Sequence, residues 1–192
     1  MKIKIFLLMM ISLFFSLNIS NATEMTDENL IQKFPLPDIG GPWKSYSKVE
    51  EDSTQAMWKN KGGEEILMTL VIYHDGGESV EGIKRAEEGN YKDSCVDYSS
   101  NTINETVENG YKSITWKIIC KTKSNFAATV LHKGITGNDA IYVIQKIWKT
   151  DVSSRSEEAW SRYLNEIYVC DSRLEKSPCP AGFSEVTEED EF

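Results

Sequence analysis

Residues 140–170 read AIYVIQKIWKTDVSSRSEEAWSRYLNEIYVC. The first ten are rich in the β-branched and aromatic side chains that fit a pleated surface, which predicts a strand. Gly137-Asn138-Asp139 precede it and predict a tight turn from NFAATVLH, residues 125–132, so the two form a hairpin. After the strand the period changes. Ser154 and Glu157 have the spacing of a capping box, and Trp160, Tyr163, Leu164 and Ile167 recur at i, i+3, i+4 and i+7. That is a helix with one side to bury, and Cys170, seven residues beyond Tyr163, extends the same face if the helix runs on. A hairpin followed by such a helix argues for an α+β fold rather than α/β.

Working outward, SITWKIIC (113–120) alternates Ile114, Trp116 and Ile118 against Thr115 and Lys117, while EEILMTLVIYH (64–74) is apolar on both faces from Ile66 to Tyr73. The second pattern predicts a central strand covered above and below. WKSYSKVEED (43–52) and STQAMWKNK (53–61) read as shorter strands, with Asn60-Lys61-Gly62-Gly63 as a turn. In ESVEGIKRAEEGNYKDSC (78–95), Val80, Ile83 and Ala86 give a modest helical stripe ending at Gly89-Asn90. This order implies an antiparallel sheet flanked by helices. It resembles the PsbP-like arrangement over residues 43–169, with EEILMTLVIYH and AIYVIQKIWK as core strands and EEAWSRYLNEI as the final helix. The resemblance rests on element order, and it carries over no functional residue.

The chain begins with Lys2 and Lys4, an apolar run from Ile5 to Leu17, and Ser20-Asn21-Ala22. This predicts a secretory signal peptide over residues 1–22, since the run is shorter than the roughly 20 residues of a spanning helix. Residues 23–42, with three prolines and two glycines, are expected as an irregular arm. Residues 43–182 then form one globular domain, and 183–192 an acidic tail. Removing residues 1–22 leaves 19 Lys and Arg against 30 Asp and Glu, a formal charge of −11. Such a surface repels nucleic-acid phosphates and anionic lipid heads; any charge-selected partner is basic.

Cys95, Cys120, Cys170 and Cys179 are an even set in a chain expected in an exported, periplasmic or extracellular compartment. Their spacings match neither paired zinc ligands nor a Cys-x-x-Cys redox motif. Cys95–Cys120 and Cys170–Cys179 disulfides are preferred, because a turn at Glu108-Asn109-Gly110 returns Cys120 toward Cys95, and the second pair closes a short tail loop.

A search for chemistry begins with the two histidines. His74 precedes Asp75 and a glycine pair, but neighbouring strand residues point to opposite faces, so Asp75 would not orient it. His132 reads as a strand-end residue. Nucleophile-elbow, zinc-protease, phosphate-loop and EF-hand patterns are all absent from the sequence, and no cofactor or metal is implied. Of five tryptophans, Trp58 beside the 60–63 turn is the candidate exposed anchor for an interface. The leading expectation is a non-catalytic protein-binding module, for instance an inhibitor or immunity-type partner of a basic protein. Two alternatives stand beside it: a carrier of a small apolar or amphipathic ligand held between the sheet and the last helix, and a hydrolase with an atypical site.

Overall fold

The structure is a computed structural model that describes residues 27–33, 36–37, 39–73, 78–123 and 126–180. In chain order its elements are β1 (Glu28–Ile31), β2 (Trp43–Val49), β3 (Ser53–Asn60), β4 (Glu65–Tyr73), α1 (Val80–Ser94), β5 (Asp97–Glu108), β6 (Tyr111–Lys121), β7 (Ala127–Thr136), β8 (Ala140–Trp148), α2 (Ser154–Asn165) and β9 (Tyr168–Asp171). Seven strands form one antiparallel sheet in the order β2-β3-β4-β8-β7-β6-β5, and β1 pairs with β9 in a separate ribbon. The architecture is α+β, as the change of period at residue 150 implies.

β8 lies between β7 and β4, with Ile144 registered opposite both Lys133 and Thr69. Its two neighbours explain why AIYVIQKIW is buried almost throughout. On one face Leu67, Leu131, Ile144 and Trp148 meet Trp160, Tyr163, Leu164 and Ile167 from α2 and its exit. Tyr111, Ile135, Tyr142 and Val169 continue that layer beneath the β1–β9 ribbon. On the opposite face α1 packs over β5–β8, where Val80 joins Ile114, Trp116 and Ile118.

Both helices are capped by serine, though not where spacing alone placed the second cap. Ser79 Oγ accepts from Gly82 N–H at 3.3 Å, and Ser153, not Ser154, accepts from Ser156 N–H at 3.2 Å. Glu157 is therefore free of the capping role and pairs with Lys117 of β6 at 2.6 Å, tying α2 to the sheet. The stripe expected on α1 is also corrected. Val80 is fully buried, but Ile83 is half-buried and Ala86 exposed, while Lys84, Glu87 and Tyr91 turn inward.

Three strands depart from the sequence expectation. The stretch expected as an irregular arm holds β1, and the helix expected to reach Cys170 stops at Asn165. Glu166 and Ile167 N–H donate back to Tyr163 and Leu164 carbonyls, tightening the exit, and Tyr168–Asp171 then runs extended against Ile31–Glu28. Neither four-residue strand has a period that could be read alone. β5 is a polar edge strand with a bulge between Thr102 and Asn104, and only its pairing with β6 defines it. The Asn109-Gly110 turn joining them has φ of 50° and 87°, the left-handed pair that a tight hairpin requires.

The expected signal peptide and acidic tail, residues 1–22 and 183–192, lie outside the described residues, as does the His74–Gly77 turn.

Candidate functional site

The four cysteines form the two disulfides expected, Cys95–Cys120 and Cys170–Cys179. The second holds the tail against β9 rather than against a helical turn; Asp171 N–H donates to Ser177 O at 2.7 Å inside the closed loop. Neither pair leaves a thiol for chemistry. His132 lies fully buried beneath α1, stacked on the Trp116 ring at 4.5 Å. Its Nε2 is 3.1 Å from Glu87 Oε2, yet neither ring nitrogen has an aligned hydrogen bond. No substrate could reach it without displacing the helix. Among the described residues no three metal-ligating side chains gather.

Trp58 is half-buried in β3, opposite Ser45 and Leu67, and packs against the cluster beneath α2. Its indole thus belongs largely to the edge of the core. The space between the sheet and α2, where a carried ligand was expected, is filled by Leu67, Leu131, Ile144, Trp148, Trp160 and Leu164.

Two buried lysines went unforeseen because their spacing looks like ordinary strand alternation. Lys146 Nζ lies 4.7, 5.1 and 4.5 Å from the ring centres of Trp43, Trp148 and Trp160, and 2.6 Å from Glu65 Oε2. Burial lowers its pKa to about 8 against the opposing pull of Glu65. Lys133 donates to Glu108 Oε2 at 2.5 Å and to Ile167 O at 2.7 Å, and burial lowers its pKa too. Both side chains are fully enclosed, and neither amine is presented to solvent as a nucleophile. Glu28 has a similar role at the ribbon: Asn138 and Asp139 N–H and the Tyr142 hydroxyl all donate to its carboxylate, at 2.6, 3.2 and 3.1 Å. Burial, then the charge of Glu28, raises the Tyr142 pKa well beyond the ordinary phenol value.

The feature that remains open is half of the sheet. On the α1 face, the cross-strand rows from β2 through β3 to β4 run Lys44–Lys59–Ile66, Tyr46–Met57–Met68 and Lys48–Gln55–Leu70, with Ser53–Ile72 below them. Met57, Met68, Leu70 and Ile72 are half-buried, Tyr46 is exposed, and none belongs to a buried apolar cluster. Among the described elements α1 lies over β5–β8 and leaves this strip without a layer. Glu87 reaches Gln145 of β8 while Glu88 reaches Ser100 of β5, which puts half-buried Ile83 and exposed Ala86 on the β8 side of the helix. They also line a shallow depression of about 340 Å³ with Ser79, Gly82 and Arg85.

The fold is that of PsbP-like proteins. The chain is similar to the solution structure of cyanobacterial PsbP (CyanoP) from Synechocystis sp. PCC 6803, with a TM-score of 0.53 and 12% identity over 80% of this chain and 98% of that one. LpqN of Mycobacterium tuberculosis, described as involved in cell envelope biogenesis, overlaps with a TM-score of 0.44 and 11% identity over 77% of this chain and 87% of that one. No protein-family profile matches the chain, nor does any curated protein sequence. The two disulfides point to an exported protein. Among the described residues no helix is long and apolar enough to cross a membrane.

Proposed function

We propose that this protein is an exported, non-catalytic module that binds a protein partner through the open β2–β4 half of its sheet. The observation that carries the reading is the contiguous half-buried strip of Met57, Met68, Leu70 and Ile72, over which no described helix lies. Leaving such a strip in water forfeits the roughly 25 cal/mol per Å² that its burial would gain, and contiguous apolar patches of this kind mark interaction sites. The surface is broad rather than enclosed, which suits a protein better than a small molecule. Trp58, on the other face, serves as a control.

The test is co-purification from the native envelope at low salt. The wild type should retain a specific partner, Met68→Asp with Leu70→Asp should lose it, and Trp58→Ala should keep it. Failure of the wild type to retain any specific protein would overturn the reading.

A further inference from the structure

Resting on that reading, we infer that the partner's docking segment is acidic at one end, although the chain as a whole is acidic. Lys44 and Lys59 are registered directly opposite each other on β2 and β3, on the same face as the apolar strip. Like charges so placed repel, and a fold selected only for stability would separate them or set a carboxylate between them. Among the described residues neither lysine forms an ion pair; Lys59 Nζ lies 5.5 Å over the Tyr46 ring, itself part of the strip. This occurs in a chain with 30 acidic residues, nine more than its lysines and arginines.

Lysines on an edge strand also guard against edge-to-edge pairing. That explains Lys44 on β2 but not Lys59, whose strand has a neighbour on each side. Lys48, further along β2, is different, since Glu50 already pairs with it. Glu50, Glu51 and Asp52 occupy the β2–β3 turn at the opposite end of the strip from Lys44 and Lys59. The face therefore has a polarity: two facing lysines at the Trp43–Asn60 end, apolar surface along the middle, negative charge at the far end. A segment that complements it carries Asp or Glu where it meets Lys44 and Lys59 and apolar side chains over Met57, Met68 and Leu70. Charge complementarity of this sort fixes orientation and speeds encounter.

The experiment places 4-benzoylphenylalanine at Leu70 of the full chain, irradiates it in the native envelope and sequences the cross-linked segment. The expected product is a protein segment with acidic residues adjoining apolar ones, and Lys44→Glu with Lys59→Glu should cut its yield at least tenfold at low salt. A matched Lys44→Ala, Lys59→Ala variant should give an intermediate yield, and unchanged thermal melting of both variants shows that the fold is intact. A protein cross-link whose segment is neutral or basic, or whose yield ignores the charge reversal, overturns this inference while leaving the proposed function standing. A cross-link only to lipid or to a second copy of this chain, or none at all, overturns both.

Discussion

Lys146 shows how one residue can be held by opposing terms. Three indole faces and Glu65 favour its charge, while burial disfavours it, and burial wins. Because its folded pKa is about 8 against 10.5 for the free side chain, the unfolded chain binds more protons between those values. Stability contributed by this site therefore rises as pH increases from 8. Buried tyrosines set the upper limit: Tyr163, pushed up to about 12 mainly by burial, favours the folded state less once unfolded phenols ionise near pH 10. Comparing urea unfolding of the wild type and Lys146→Met from pH 8 to 10 should show the wild type gaining relative to the variant. A constant difference would show that Lys146 does not titrate there. Lys133, shifted the same way, is present in both proteins and cancels. Gly40 belongs to the same site, since its φ is 97° and a Cβ there would lie 2.4 Å from Glu65 Oε2.

At the scale of elements, α1 is seated by Val80 and Tyr91 on the apolar side and by several polar contacts. Val80 enters the gap left by Gly134 of β7, where an added Cβ would lie 2.0 Å from Val80 Cγ2 and 3.2 Å from the Trp116 ring. Gly134→Ala should cost about 1–3 kcal/mol through overpacking, and hydrogen exchange should show the loss first in α1 amides. The β1–β9 ribbon depends similarly on Glu28. Glu28→Ala removes the carboxylate that accepts from the Asn138 and Asp139 amides and from the Tyr142 hydroxyl, which keeps the residue 28 carbonyl at 3.3 Å, and the loss should cost about 1–3 kcal/mol in all. The expected readout is a lower urea midpoint with faster exchange across residues 28–31 and 168–171. Two of these contacts bind β1 to the β7–β8 turn, more than 100 positions away in sequence, which is why 23–42 gave no sign of a strand.

For the molecule as a whole, the disulfides clamp two sites of unequal reach. Closing the Cys95–Cys120 loop, with a separation of 25 residues, contributes about 3.5 kcal/mol by loop-closure entropy, against about 2.7 for Cys170–Cys179 with a separation of 9. Cys95→Ser with Cys120→Ser should lower the urea midpoint more than Cys170→Ser with Cys179→Ser. The reverse order would show that strain or residual unfolded structure, rather than loop length, governs these bonds. Net charge acts at this scale too, but it did not single out the face proposed to meet a partner. Position is the sharper guide: Lys44 and Lys59 face each other at one end of the open strip.

The amino-acid sequence by itself determined the β7–β8 hairpin, the core strands β4 and β6, the buried side of α2 and the pairing of the cysteines. Each of these is written locally: a period of two or 3.6, a turn dipeptide, or a short spacing between thiols. Tertiary structure alone decided where α2 ends, that residues 28–31 and 168–171 form a ribbon, and that His132 is sealed beneath α1. It also decided which half of the sheet stays open and that Lys44 faces Lys59 across it. Those properties depend on which strands become neighbours and on how far one helix reaches across them. Alternation tells which residues share a face, but only packing tells which part of that face is covered.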